Sequence, residues 1–257
     1  MKRAAGIFLV LCFIFLPLRK DGCASSGEIV VSAAISLKDA FTEIGRSYER
    51  KNRGREVVFN FGASGDLAGQ IEGGAPADVF ASASEKYMDD LDKRGLLIKG
   101  TRSDFAANGI VLIVPRVSKA IPLSFEGLKA KEIRQIAVGN PRSVPAGRYA
   151  GEVLRYYKLL PSIRDRLIYG ENVRQVLDYV ARGEVDAGIV YSTDASIRAK
   201  EVKIAAFAAE KSHKPVVYPV AVVKGAKDEA AARAFIAFVL SPEGQKIIRG
   251  YGFREAL

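Results

Sequence analysis

Residues 56–71, EVVFNFGASGDLAGQI, join an alternating apolar run to a helical pattern with almost nothing between them. The run EVVFNF is typical of a strand, and the apolar positions of LAGQI recur at helical spacing. At the junction Ser64 stands between small residues, Ala63 and Gly65. This segment therefore predicts a strand that passes directly into a helix, with a serine at the turn.

The same unit recurs along the chain. Strand-like runs lie at 28–34, 56–61, 77–82, 109–115, 135–140, 186–192 and 216–223. Helical patterns lie at 36–50, 64–73, 84–94, 146–160, 173–183, 228–240 and 242–251. Such alternation favours an α/β protein with largely parallel sheets covered by helices.

The length of 257 residues allows either one large domain or two lobes. The runs GIVLIVP (109–115) and VVYPVAVV (216–223) would suit two strands that connect a pair of lobes. We expect residues 28–107 with 217–257 to form lobe 1 and residues 108–216 to form lobe 2.

The first 24 residues have the pattern of a secretory signal. Lys2 and Arg3 precede the apolar run 4–18, and Ala24 offers a small residue for cleavage. A short uncleaved anchor and lipidation of Cys23 are the alternatives, although three charged residues just before Cys23 favour simple export to the periplasm. Removing these residues lowers the formal net charge from +10 to +7.

Little in the chain supports catalysis. His213 is the single histidine, so a histidine-based triad or metal cluster would rest on it alone. The segment GASGD, around Ser64, resembles the nucleophile elbow G-x-S-x-G but has Asp66 in the last position, which leaves a serine hydrolase as a distant alternative. Acidic and basic residues are interleaved, which argues against a nucleic-acid binder.

Several helices start where a strand ends. Ser36, with Asp39 three residues later, fits a capping box, and Ser64 fits an N-cap. Further helices start near Ala146 and Val173. Helix starts present free N–H groups and positive dipole ends, which together form an anion site made only of donors. Such a site suits a fully ionised oxyanion, whereas phosphate near neutral pH carries a proton that needs an acceptor.

Five segments, in order over about 230 residues, resemble the periplasmic molybdate-binding proteins, which serve molybdate ABC transporters. The segments are AAISLKDAF, FNFGASGDLAGQIEGGAPADVFASA, GNPRSVPAGRYAGEVL, DAGIVYSTDA and YPVAVV with FVLSPEGQKIIRGYGF. The resemblance implies a two-lobed, type II periplasmic-binding-protein fold. Each lobe would be a mixed, mostly parallel sheet flanked by helices, and two hinge strands would join them.

The resemblance also implies the ligand contacts. Ser36, Ser64 and Tyr191 would donate hydroxyl protons to the oxyanion, and Ala146 and Val173 would donate backbone N–H groups. Ala63, or a neighbouring residue, would be an extra backbone donor. Gly65 stands where some members of the family have another hydroxyl residue.

The implied function is the capture of molybdate or tungstate by a monomer and its delivery to the membrane permease. Molybdenum would be held through its oxygens, with no direct protein–metal bond, no cofactor and no catalysis. Binding of sulfate, thiosulfate or another oxyanion is the alternative.

Overall fold

The computed structural model describes residues 27–119 and 121–256. The predicted signal segment and Cys23 therefore lie outside the described residues. Within those two ranges, no helix is both long and apolar enough to cross a bilayer.

Strands and helices alternate for most of the chain, as predicted. The strands are β1 (Gly27–Ala34), β2 (Arg55–Gly62), β3 (Val79–Ala81), β4 (Ser103–Asn108), β5 (Ile110–Pro115), β6 (Ile136–Gly139), β7 (Leu167–Gly170), β8 (Ala187–Tyr191), β9 (Val202–Phe207) and β10 (Val216–Val222). The helices are α1 (Lys38–Lys51), α2 (Ser64–Glu72), α3 (Glu85–Lys93), α4 (Pro145–Tyr156), α5 (Leu160–Ile163), α6 (Val173–Ala181), α7 (Ser192–Ile197), α8 (Glu229–Leu240) and α9 (Pro242–Gly250).

The strands form two sheets of five, in the orders β2-β1-β3-β10-β4 and β7-β6-β8-β5-β9. We call the first sheet with its helices α1–α3, α8 and α9 lobe 1, and the second with α4–α7 lobe 2. In each sheet one strand, β10 or β5, runs antiparallel to both its neighbours. The α/β, two-lobed fold with mixed sheets is therefore confirmed.

The chain passes between the sheets twice. It leaves the first sheet after Asn108, turns at Gly109 and enters the second as β5. It returns between β9 and β10, through residues 208–215. The two antiparallel strands, β5 and β10, are thus the strands that the chain enters just after crossing.

The strand prediction missed β4, β7 and β9, and the helix prediction missed α5 and α7. All three missed strands lie at the outer edge of a sheet. Ser103, Asp104 and Asn108 interrupt the apolar pattern of β4, and β7 is only four residues long, whereas β2, which is also an edge strand, was predicted. The predicted helix 146–160 ends at Tyr156, because Lys158 adopts a positive φ of 54°.

An aromatic cluster fixes α1 on the first sheet. The Phe41 ring packs against Phe105 and Phe235 with centroid distances of 5.6 and 6.4 Å. Phe41 is fully buried, and each such aromatic contact adds about 0.5–1.5 kcal/mol beyond the area it removes from water. This packing holds the start of α1, and with it Ser36, at the edge of the sheet that faces lobe 2.

Candidate functional site

A small cavity lies where the ends of several strands meet helix starts from both lobes. Its volume is about 10 Å³, close to the space of one water molecule. All six residues predicted to hold the ligand line it: Ser36, Ala63, Ser64, Ala146, Val173 and Tyr191. The other lining residues are Ala34, Ile35, Gly62, Ala83, Val144 and Pro145. None of these twelve residues is charged.

The two serines do not cap their helices, so the capping prediction was wrong. Ser36 lies in a 3-10 turn, Ile35–Leu37, and α1 starts after it with no side-chain cap. The N-cap of α2 is Ala63, and Ser64 is its first helical residue. Each helical segment starts one or two residues earlier than a serine cap would require. As a result, both hydroxyls are free for contacts outside their own helix.

Lobe 2 contributes backbone donors instead. Pro145, the first residue of α4, has no N–H, so Ala146 offers the first donor of that helix. At α6, the side chain of Asn172 accepts from Gln175 N at 3.0 Å. This cap leaves the N–H of Val173, the first helical residue, without an intrahelical partner.

Each serine hydroxyl already has one hydrogen-bond partner inside the protein. Ser64 Oγ accepts from the backbone N–H of Ala83 at 3.0 Å. Ser36 Oγ lies 3.2 Å from the Tyr218 hydroxyl. Because Ala83 N can only donate, Ser64 keeps its own proton available for the cavity.

Tyr191 closes the cavity from lobe 2. Its hydroxyl donates to Ala83 O at 3.4 Å, a long bond that an anion could replace. Burial, followed by the neighbouring Tyr218, raises the pKa of Tyr191 well above its ordinary value. The hydroxyl therefore stays protonated, and remains a donor, at any physiological pH.

The two lobes touch around the cavity. Gly65 N donates to Ser143 O at 2.9 Å, and the Tyr87 hydroxyl donates to Arg142 O at 2.7 Å. In both pairs the donor belongs to lobe 1 and the acceptor to lobe 2. The structure is therefore that of a closed cleft.

An ionic bridge crosses the rim of this cleft. Arg174, next to Val173, contacts Asp39 of lobe 1 at 2.7 Å and Asp194 of its own lobe at 2.6 Å. Burial alone would lower the pKa of the Arg174 guanidinium, but the two carboxylates outweigh it and raise that pKa. Burial raises the pKa of Asp194, and Arg174 opposes that shift. Sequence reasoning missed this bridge, since its members are far apart in the chain.

The residues needed for a hydrolase are absent from the cavity. His213 lies instead beside a separate cavity of about 360 Å³ between the ends of β4 and β10. Its ring Nδ1 is 2.7 Å from Lys214 O. No histidine, amine or carboxylate lines the wall around Ser64, so nothing there could take its proton.

The fold and the donor-lined cleft define a class, the two-lobed solute-binding proteins. Residues 29–254 match the family of bacterial extracellular solute-binding proteins. A molybdate-binding protein ModA from Haemophilus influenzae is 42% identical, over 90% of this chain and 91% of that protein. The chain therefore belongs to the ModA family of bacterial extracellular solute-binding proteins.

Two further comparisons agree with this assignment. The Bacillus subtilis protein YvgL, named a putative ABC transporter substrate-binding lipoprotein, is 38% identical over 98% of this chain and 99% of its own length. The structure of the periplasmic molybdate-binding protein of Azotobacter vinelandii superimposes with a TM-score of 0.78 at 26% identity, covering 89% of this chain and all of that one. The family resemblance seen in the sequence is confirmed.

Proposed function

We propose that this protein captures molybdate, and tungstate by the same chemistry, outside the cytoplasmic membrane and delivers it to an ABC transporter permease. One observation carries the proposal. Six residues from five separate strand-to-helix turns converge on a single uncharged cavity between the lobes. The molybdate-binding names of its relatives supply the particular anion.

Hydroxyl protons of Ser36, Ser64 and Tyr191 would contact the anion's oxygens, together with N–H groups of Ala146, Val173 and Ala63. All of these groups donate, so a fully ionised oxyanion is satisfied whereas hydrogen phosphate would bring a proton that finds no carboxylate in the cavity wall. The protein makes no direct bond to molybdenum. The half positive charge of each helix start offsets the charge of the dianion.

Selectivity against sulfate would come from size. Metal–oxygen bonds in molybdate are longer than sulfur–oxygen bonds, and donors fixed at helix ends grip a smaller anion poorly. A tetrahedral oxyanion is larger than one water molecule. With the anion bound, the cleft would therefore be slightly more open than in this structure. The degree of closure would report loading to the permease.

Calorimetry with molybdate, tungstate, sulfate and phosphate at neutral pH tests the proposal. We expect tight binding of the first two anions and weak or no binding of the others. Ser36→Ala or Ser64→Ala should each weaken molybdate binding by about 1–3 kcal/mol, because each removes one charge-assisted hydrogen bond. Equal affinity for sulfate would contradict selection by size, and no binding of molybdate would contradict the transport role.

The remaining features of the proposal concern processing and organisation. We propose export with removal of residues 1–24, a monomer, and two lobes formed by 28–107 with 217–257 and by 108–216. Mass spectrometry of the mature N-terminus distinguishes cleavage after Ala24 from the alternative, lipidation at Cys23. The Bacillus subtilis relative is named a lipoprotein, which favours the alternative. We further propose binding without catalysis, and a covalent serine probe should leave Ser64 unlabelled.

A further inference from the structure

A buried chain of polar side chains lies behind Ser36. Asn108 Nδ2 is 3.2 Å from the Tyr218 hydroxyl, which is in turn 3.2 Å from Ser36 Oγ. Asn108 ends β4, at the first crossing between the sheets, and Tyr218 lies on β10, at the second. All three side chains are buried, with 0–3% of each residue exposed. These three side chains therefore link the candidate ligand cavity to β4, which the chain leaves at the first crossing, and to β10, which it enters at the second.

The orientation of the Asn108 amide follows from its other contacts. Its Oδ1 is 2.9 Å from the backbone nitrogen of Gly109 and 2.9 Å from Ser192 Oγ. A backbone N–H can only donate, so the atom facing Gly109 must be the carbonyl oxygen. The amide NH2 then points to Thr193 Oγ1, at 2.9 Å, and to Tyr218.

This orientation decides which way the protons point. Asn108 donates to the Tyr218 oxygen, so the Tyr218 proton needs a different acceptor. Among the described residues, Asn108 and Ser36 lie within hydrogen-bond distance of the Tyr218 hydroxyl. The Tyr191 hydroxyl also interacts with it, but as a donor, because this contact raises the pKa of Tyr191. A buried hydroxyl proton without an acceptor costs about 1–3 kcal/mol, so Tyr218 donates to Ser36 Oγ. Burial raises the pKa of Tyr218, which keeps the phenol protonated.

We propose that Asn108 and Tyr218 are positioning residues that act through Ser36 and force its hydroxyl to present a proton to the bound oxyanion. With the opposite direction, Ser36 would donate to Tyr218 and face the cavity with lone pairs alone, which would repel an anion. The inference rests on the proposed function. It assigns a specificity role to two residues that do not line the cavity.

A double-mutant cycle between Ser36 and Tyr218 tests whether Tyr218 acts through Ser36. Tyr218→Phe should raise the molybdate Kd about fivefold in the unaltered protein and less than twofold in the Ser36→Ala background. Tyr48→Phe is the matched control, because Tyr48 is also buried in lobe 1 but packs against Phe235, with ring centroids 5.4 Å apart. The control should not change Kd. An equal loss from Tyr218→Phe in both backgrounds would overturn the inference.

We call the hydrogen bonds from Asn108 to Tyr218 and from Tyr218 to Ser36 the relay. A second variant tests the direction of these two hydrogen bonds. Asn108→Asp preserves the shape, but a carboxylate only accepts, so Tyr218 would donate to it and Ser36 would turn its proton away from the cavity. The new charge also repels the anion, whether or not Tyr218 has its hydroxyl. Asn108→Asp should therefore raise the molybdate Kd in both backgrounds. The fold-change should be at least about ten times larger in the unaltered protein than in the Tyr218→Phe variant. Equal losses in the two backgrounds would overturn the relay.

Thermal unfolding of each variant accompanies the titrations. Should Asn108→Asp fail to fold, the cycle between Ser36 and Tyr218 decides the inference by itself. Failure of the unaltered protein to bind molybdate would overturn the proposed function and the relay together. Normal binding by the unaltered protein, combined with additive losses in the cycle, would overturn the relay alone.

Discussion

The two lobes contribute different donor groups to the proposed anion site. Lobe 1 presents serine hydroxyls, Ser36 and Ser64, at the starts of its helical segments. Lobe 2 presents backbone N–H groups at the starts of α4 and α6, with the Tyr191 hydroxyl as its side-chain donor. In both lobes the donors stand at helix starts, and at α4 the close approach of Gly147 to Gly139 leaves no room for a larger side chain there.

Packing at α4 explains the absence of a hydroxyl at that start. The second and third residues of α4, Ala146 and Gly147, lie against the end of β6. An added Cβ at Gly147 would lie 2.0 Å from Gly139 O. The helix therefore approaches the strand too closely for larger side chains.

Gly147→Ala should have the largest effect. The clash is with backbone, which cannot move aside as a side chain can, so we expect a loss of about 3 kcal/mol in the free energy of unfolding. Gly151→Ala in the same helix is the control, because its nearest neighbour would be Arg155 Nη1 at 3.5 Å, an ordinary contact. Denaturant unfolding measures both variants, and equal stabilities would show that α4 can shift away from β6.

Gly65→Ala should act mainly between the lobes, because its close neighbour within lobe 1, Tyr87 Cζ at 2.9 Å, belongs to a side chain that can move. An added Cβ would lie 2.6 Å from Ser143 O, across the closed cleft. We expect molybdate binding to weaken by about 2 kcal/mol, roughly thirtyfold, because closure is obstructed. The apo protein can open and should keep its stability. Gly69→Ala in α2 is the control, since nothing lies within 4 Å of its added Cβ, and calorimetry should find its affinity unchanged.

Alkaline pH should weaken lobe 2 through Tyr149. Burial raises the pKa of this tyrosine to about 12, above the ordinary value of 10.0. The folded protein therefore holds the proton more tightly than the unfolded chain. Its contribution to stability is complete below pH 10 and is lost as the pH rises towards 12, by about 2 kcal/mol. Denaturant unfolding between pH 9 and 11, about one unit either side of the ordinary value, measures the decline. Tyr149→Phe should have a shallower decline than the unaltered protein, and identical slopes would contradict the assignment.

Asp39→Asn should have the smallest effect and should act on the ionic rim. The Asp39 side chain is 39% exposed, so solvent weakens its pairing with Arg174, and we expect the loss to be about 0.5–1 kcal/mol. Molybdate should dissociate two to five times faster, which stopped-flow kinetics can measure.

The sign of this effect is informative. Removal of a carboxylate near an anion site would by itself strengthen anion binding, so weaker binding identifies the lost bridge between the lobes. Asp66→Asn is the control. Asp66 occupies the first turn of α2 and pairs with no cation among the described residues. Its replacement should leave dissociation unchanged or slow it, and a faster rate there would contradict the role of Asp39.

The long elements and several positions that line the cavity were predictable because their signals are local. A strand with a strong apolar run, a turn of small residues and an amphipathic helix place Ser64, Ala146 and Val173 at helix starts without reference to the rest of the chain. β4 and β7 escaped prediction because polar residues interrupt the apolar pattern of the first and the second is only four residues long.

Local patterns in the chain place donor groups at the carboxyl ends of strands and offer no charged base next to Ser64. Long-range packing establishes how those donors are used. Which atom Ser36 faces, whether Tyr191 reaches the cavity and which carboxylate Arg174 meets all depend on residues more than 100 positions apart. Such contacts leave no periodic signal in the chain, because they arise only when distant segments pack together, within lobe 1 for Ser36 and Tyr218 and across the cleft for Tyr191 and Arg174.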